Sequence, residues 1–146
     1  MRRHQVLAPL SRDHQRGLLA AHRLIGVTLA DAAEARSRFL SFWLSEGNRH
    51  FRCEEEVLLP AFARHAPADH EAVVRVLTEH VDIRRRAFDL EVLATPGVEA
   101  LRELGQRLRD HIRHEERVLF PLIEEALPQS ELNRLPGAML AAEDAA

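Results

Sequence analysis

Two stretches of this chain carry the same residue pattern 61 positions apart, and this repeat constrains the fold more than any other feature. His50 to Pro60 and His111 to Pro121 both read H-x-R-x-E-E-x-V-L-x-P. In each copy a glutamate follows a histidine by four residues, so on a helix both side chains lie on one face. An internal repeat of this kind indicates two similar halves. Each half would then direct one imidazole and one carboxylate to the same side.

Helical periodicity runs through almost the whole chain, and strand signals are weak. The pattern predicts four helices, each with its own boundary signal. The first runs from about Ser11 to Leu29 with Ser11 as N-cap; the second begins at Asp31 with Asp31 and Glu34 as a capping box; the third is capped by Asp69; and the fourth follows Thr95-Pro96-Gly97. Pro60 can kink or close the second helix. A shorter piece, Glu131 to Leu135, follows Pro128.

Four amphipathic helices with short connections predict an all-α fold, an antiparallel up-down-up-down four-helix bundle with a short extra C-terminal helical segment. The length of 146 residues fits one domain. We expect an N-terminal arm over residues 1–10, the bundle over 11–127, and a short helix with a flexible tail over 128–146.

The composition excludes several classes of function. The net charge is -3 and the basic residues are spread along the chain, which argues against nucleic-acid binding. A single cysteine, Cys53, excludes an internal disulfide and fits a reducing compartment, so we expect a cytoplasmic protein. There is no secretory signal pattern, and no apolar run approaches the roughly 20 residues that cross a bilayer. The absence of tyrosine excludes tyrosyl-radical chemistry.

Six ionisable residues fall on helix stripes that are otherwise apolar, and they are the candidate metal ligands. A buried carboxylate without a partner costs several kcal/mol, so these groups need one another or a metal. If both glutamates bridge two ions, each ion receives two imidazole nitrogens and two carboxylate oxygens, and an oxo or hydroxo bridge adds a fifth ligand. Mixed imidazole and carboxylate ligation suits iron, with manganese or zinc as alternatives. The six residues are His14, His50, Glu54, His80, His111 and Glu115.

The remaining histidines and acids are expected to lie outside the site. His22 is the alternative to His14, because it also lies near the inner face of the first helix, and His70 is a weaker alternative to His80. We interpret the other members of this group as non-ligands or solvated helix surface: His65, His114, Glu55, Glu56 and Glu116. The E-x-x-H motif of ferritin-like carboxylate proteins and the H-E-x-x-H motif of zinc proteases are both absent.

The order of motifs resembles that of hemerythrin-like (HHE cation-binding) proteins from about Pro9 to Leu127. It consists of D-H near the start, H-x-x-x-E-E-x-x-L-x-P, an E-H pair on the third helix and H-x-x-x-E-E-x-x-L-F-P near the end. The resemblance implies an antiparallel four-helix bundle around a non-haem di-iron centre. Carried over by position, it implies the six ligands named above, with Glu54 and Glu115 bridging.

The chain departs from the oxygen-carrying hemerythrins in two places. Their third helix supplies an H-x-x-x-H pair, where this chain has Val76, and their fourth helix has an Asp five residues after its His, where this chain has Glu115 at four. The set of four His and two Glu is similar to bacterial di-iron proteins that handle nitric oxide or repair iron–sulfur clusters.

We therefore expect a protein that binds O2, NO or peroxide for sensing, storage or detoxification. An enzyme that turns over peroxide or nitric oxide and a metal-stabilised regulatory or interaction module stay open as alternatives. The segment after Pro128 is a candidate docking element or dimer contact, so a homodimer is an open alternative to a monomer.

Overall fold

The chain folds into helices, and a computed structural model describes residues 3–93 and 97–135 of it, with no strand in those ranges. The all-α class is therefore confirmed. The predicted loop residues Thr95 and Pro96, and the predicted tail from residue 136 onward, lie outside the described ranges. The elements are α1 (Ala8–Ile25), a 3-10 turn (Leu29–Asp31), α2 (32–62), α3 (Glu71–Val92), α4 (98–126) and α5 (129–135).

The N-terminal boundary of α1 was predicted wrongly. The helix begins at Ala8, because Pro9 in its first turn needs no hydrogen-bonded N–H and has a backbone angle already suited to a helix. Ser11 is not an N-cap: it lies inside the helix, and its hydroxyl donates to the Glu116 carboxylate at 2.9 Å. The C-terminal boundary was also wrong, since α1 ends at Ile25.

The caps of the next two helices differ from the predicted ones as well. Helix α2 begins directly after Asp31, as predicted. The Asp31 side chain, however, accepts a hydrogen bond from the backbone N–H of Thr28 at 2.7 Å, so it caps the 3-10 turn and does not form the predicted capping box with Glu34. The first residue before α3 is His70 rather than Asp69, and its ring Nδ1 accepts from the backbone N–H of Ala72 at 3.1 Å.

Helices α2 and α4 are interrupted by short π-helical turns, in which each N–H bonds the carbonyl five residues back. The turns are Trp43–Gly47 and Glu54–Leu58 in α2, and Glu115–Leu119 in α4. The last two begin at the glutamates of the sequence repeat. Each lies just before a residue that precedes a proline, so the helix continues through Pro60 and Pro121 instead of ending there.

The turn in α4 releases one backbone carbonyl, which finds a partner elsewhere. Phe120 donates to Glu115 instead of Glu116, and Pro121 has no N–H. The Glu116 carbonyl accepts from the guanidinium of Arg3 at 2.7 Å. The N-terminal arm is thereby fastened to α4 where the proline leaves an acceptor unpaired.

Two apolar clusters are buried in the structure, and on every long helix the ligand candidates lie where one cluster gives way to the other along the chain. The first cluster includes Leu10, Leu58, Val76 and Leu119, and the second includes Leu24. Members of the second on the other helices are Trp43, Ile83 and Leu104. Helix α5 buries Leu132 and Leu135 in the first cluster, so these leucines pack against the chain's own core.

Among the described residues no helix combines the length and apolar character that crossing a membrane requires.

Candidate metal centre

The structure brings the six predicted ligand candidates together in the middle of the helices, and all six are buried. They form two groups of four whose donor atoms all lie within 4.8 Å of one another. Both glutamates belong to both groups. The first group is His14, His50, Glu54 and Glu115, and the second is Glu54, His80, His111 and Glu115. This is the arrangement in which two carboxylates can bridge two ions, each held by two further imidazoles.

The inner atoms of this cluster lack the partners that buried polar atoms need. Neither oxygen of Glu54 or Glu115 has a hydrogen-bond partner, and neither has Nε2 of His80 or His111. The Nε2 atoms of His14 and His50 are 3.0 Å apart. These six buried atoms face only other members of the cluster, as in the ion-pair contacts of His80 with Glu54 and of His111 with Glu115. Buried polar atoms without well-formed hydrogen bonds are costly for a small domain, and cations bound among them would remove that cost. The donor set therefore fits metal ions.

The electrostatics of the cluster point the same way. Burial alone would lower the pKa of His50, but the charge of Glu54 and a hydrogen bond to Asp13 raise it to about 10. Burial likewise opposes the charge of His111, yet Glu115 raises its pKa to about 8. The pKa of Glu115 is held well below its usual range, against burial, chiefly by the charge of His111. The site holds strong negative charge that protons or metal ions must balance.

Each of the four histidines turns its Nε2 inward because a carboxylate accepts from the Nδ1–H on its other edge. The pairs are His14 with Glu116 at 2.6 Å, His50 with Asp13 at 3.1 Å, His80 with Glu55 at 2.7 Å and His111 with Glu79 at 2.8 Å. Such carboxylate–histidine pairs fix the tautomer and the ring orientation of metal-binding histidines, and they make the ring nitrogen a stronger metal ligand.

These four pairs form a closed ring around the helices. Helix α1 supplies the carboxylate for the histidine of α2, α2 for α3, α3 for α4, and α4 for α1. Every long helix thus carries one ligand histidine and one supporting carboxylate for a neighbour. The ring also follows the sequence repeat, because the bond from His50 of α2 to Asp13 of α1 has its counterpart in the bond from His111 of α4 to Glu79 of α3.

The three supporting glutamates stay ionised although they are partly buried. Burial would raise the pKa of Glu55, Glu79 and Glu116, but hydrogen bonds from their histidines lower it in each case. The prediction that Glu55 and Glu116 are solvated helix surface is therefore wrong, because both contact a ligand candidate. Glu56 is exposed and contacts Arg52, as expected for helix surface.

The remaining histidines lie elsewhere. His22 is exposed and is in neither donor group, so it does not take the place of His14. His70 caps α3, and the Nε2 of His65 lies 2.7 Å from a Glu131 oxygen on α5. Burial and the charge of Arg75 lower the pKa of His114, which is outside both donor groups.

A small cavity lies beside the first donor group. Its volume is about 20 Å³, room for roughly one water-sized molecule. Its wall is mostly apolar and includes three of the histidines. The lining residues are Asp13, His14, Gly17, Phe42, Trp43, Glu46, Gly47, His50, Phe51, Leu108, His111 and Ile112.

Two glycines in this wall allow the close packing around the cavity. A Cβ on Gly47 would lie 2.7 Å from the ring of Trp43, and a Cβ on Gly17 would lie 2.8 Å from Cδ1 of Ile112. Both contacts are shorter than real Cβ atoms tolerate, so a larger residue would shift the cavity wall.

The fold and the site together define a helical cation-binding protein with a buried histidine–carboxylate centre. The family model of the Hemerythrin HHE cation binding domain matches residues 3–123, and the chain belongs to that family. No curated protein and no solved structure matches the chain. The predicted family resemblance is confirmed at this level.

Sequence reasoning missed the four supporting carboxylates, although a signal for them was present. Each lies next to a ligand candidate in the sequence, in the pairs Asp13-His14, Glu54-Glu55, Glu79-His80 and Glu115-Glu116. Each then supports a histidine on a different helix. The sequence shows an acidic residue beside a ligand candidate on each long helix. It does not show which histidine on another helix that acid contacts.

Proposed function

We propose that this protein is a non-haem di-iron protein that binds O2 or a related small ligand, NO or peroxide, for sensing, storage or detoxification. The observation that carries the proposal is the pair of donor groups sharing Glu54 and Glu115, whose oxygens have no other partner. When bound, two iron ions would supply a redox-active centre able to bind a diatomic ligand. Manganese or zinc could occupy the same donors, since all three accept imidazole and carboxylate ligands.

The small cavity supports binding of a diatomic molecule rather than of a larger substrate. It lies against His14 and His50, so a small ligand would reach the ion held by the first donor group. Its mostly apolar wall offers few polar partners, and its size limits the occupant to a few atoms. The residues of the chain thus select by size and polarity.

We also propose an antiparallel up-down-up-down bundle as the frame of this centre. Following the chain, α1 and α3 pass from the first apolar cluster through the ligand residues to the second cluster. Helices α2 and α4 pass through the same three layers in the opposite order. Alternating directions of this kind are expected of four helices joined by short connections.

The alternatives to a ligand-binding protein are an enzyme and a metal-stabilised interaction module. A binding protein is favoured over an enzyme, because the observations concern ion and ligand binding and assign no proton donor to a reaction. A cytoplasmic location and a homodimer stay predictions. The two buried leucines of α5 are used within the chain, so a dimer contact there would involve its other faces.

The test is metal analysis of protein loaded with ferrous iron under anaerobic conditions, followed by absorption spectra before and after exposure to O2 and to NO. We expect two irons per chain and a ligand-dependent charge-transfer band. His111→Ala and Glu54→Ala should abolish the band, and His22→Ala, a histidine outside the site, should leave it unchanged. Fewer than one iron per chain, with wild-type folding, would exclude the proposal.

A further inference from the structure

Arginine side chains form a second layer outside the supporting carboxylates. Each of the four carboxylates contacts one arginine. The pairs are Asp13 with Arg16 at 2.5 Å, Glu55 with Arg84 at 3.1 Å, Glu79 with Arg75 at 3.1 Å and Glu116 with Arg3 at 3.5 Å. A histidine, a carboxylate and an arginine therefore follow one another outward on all four sides of the centre.

Arg84 and Arg3 are the two arginines of this layer that also lie over aromatic rings, Arg3 over Phe120 and Arg84 over two rings. One terminal nitrogen of Arg84 lies 3.1 and 3.2 Å from the two oxygens of Glu55, and the other donates to the side-chain oxygen of Asn48. Its guanidinium also lies over the rings of Phe51 and Trp43, at 5.6 and 5.8 Å from their centroids. Arg16 and Arg75, in contrast, are about half exposed.

Both supports of His80 are contacted by Arg84. The first support is Glu55, which accepts from the Nδ1–H of the ring at 2.7 Å. The second is Phe51, whose ring stacks on His80 with centroids 3.8 Å apart and planes 8° apart. The edge and the face of the imidazole are thus both held by groups that one guanidinium touches.

We propose that Arg84 is a positioning residue of the metal centre, which fixes Glu55 and Phe51 against His80 and so sets the affinity of the second donor group for its ion. The inference rests on the proposed metal-binding function. Arg84 contacts no ligand atom and acts only through its two neighbours. The planar guanidinium matters, because a lysine cannot bond a carboxylate and cover a ring in the same way.

A variant pair on adjacent residues tests this. In Arg84→Gln the charge and the planar fork are lost, whereas Arg85→Gln changes an exposed arginine that pairs with Asp82 and Asp89. Zn2+ is the probe, titrated into the full-length apo-protein in competition with a chelator, so that the result does not depend on iron. Outer partners of metal-binding histidines typically account for 10- to 100-fold in affinity.

We expect Arg84→Gln to weaken one of two zinc-binding steps about 10-fold and to leave the other step unchanged. Arg84→Lys should recover part of the loss, and Arg85→Gln should match the wild type. In imidazole NMR spectra of the zinc-loaded Arg84→Gln protein, the Nδ1–H signal of His80 should exchange faster with water. Glu55→Gln combined with Arg84→Gln should lose little more affinity than Glu55→Gln alone.

The results separate this inference from the function it rests on. Equal weakening of both steps, full additivity with Glu55→Gln, or wild-type affinity in Arg84→Gln would each overturn the role of Arg84. Zinc binding in two steps with no iron uptake would overturn the di-iron proposal alone. A wild-type protein that binds neither metal would overturn both.

Discussion

Without metal, this protein should lose stability as the pH rises from 6.5 towards 10, opposite to the behaviour of a protein stabilised by ionised carboxylates. His50 has its pKa raised from 6.5 to about 10, and His111 from 6.5 to about 8. A group whose pKa is higher in the folded than in the unfolded state stabilises the fold most below its unfolded pKa. That contribution is lost as the pH passes through the folded-state value.

The magnitude follows from the same values. At about 1.4 kcal/mol per pH unit, the interval from 6.5 to about 10 corresponds to an upper limit of about 5 kcal/mol for His50. The interval to about 8 for His111 corresponds to about 2 kcal/mol. The contributions overlap, because both histidines lie near Glu115. We expect a loss of about 2 to 5 kcal/mol, a large share of the roughly 5 to 15 kcal/mol typical of a domain.

The amino-acid composition leaves few groups that titrate between pH 7 and 10. All 20 basic residues are arginines, which do not titrate below pH 12, and the chain has no tyrosine. Between pH 7 and 10 the groups that ordinarily titrate are therefore the histidines, the α-amino group and Cys53. Once the thiol is replaced, the part of a stability change in this range that disappears in His50→Gln reports on a buried histidine.

The assay is urea unfolding of the apo-protein at pH 6.5, 8 and 9.5 in the Cys53→Ala background. The single tryptophan, Trp43, is buried and serves as fluorescence probe, with far-UV circular dichroism as a second signal. The matched variant is His50→Gln, which should show a much smaller loss between pH 8 and 9.5. An apo-protein equally stable at all three values, or an unchanged loss in His50→Gln, would refute the reasoning. Metal-loaded protein should not lose stability in this window, because the ions replace the protons.

Two further predictions concern the supports of the site. Glu79→Gln should weaken metal binding about 10- to 100-fold, because the amide no longer presents an anionic acceptor to the Nδ1–H of His111. The control is Glu103→Gln, which changes an exposed acid that pairs with an arginine. Equal metal affinities of the two variants in a chelator competition would contradict the supporting role of Glu79. Gly47→Ala should destabilise the protein by about 1 to 3 kcal/mol in urea unfolding, because the added Cβ would lie 2.7 Å from the Trp43 ring. The control is Gly97→Ala, which should have a small effect because there is open space around its Cβ position. Equal destabilisation by the two substitutions would contradict the packing argument.

The six candidates on apolar stripes could be predicted from the sequence because burial and charge conflict there. A histidine or glutamate at a core position on a helix needs a partner, and the repeat showed that His50 with Glu54 and His111 with Glu115 are equivalent. Periodicity then placed His14 and His80 on the inner faces of the other two helices. The structure brings all six together in two donor groups.

The supporting carboxylates could not be assigned in the same way. Glu79 precedes His80 in the sequence but accepts from His111, and Asp13 precedes His14 but accepts from His50. Which histidine an acid reaches depends on the rotation and adjacency of helices, which periodicity does not give. The π turns were equally invisible, since a residue pattern read at 3.6 per turn does not show where a helix takes in one extra residue.

The ring of carboxylate–histidine pairs also locks the register of the helices. If α3 slid along its neighbours by one turn, about 5.4 Å, His80 would lose Glu55 and Glu79 would lose His111 in the same movement. Apolar stripes alone tolerate such a slip, because one leucine can take the position of another. Here each of the four long helices is held to two neighbours by directional bonds, so a slip of any one of them breaks two links and a single alignment is favoured even without ions.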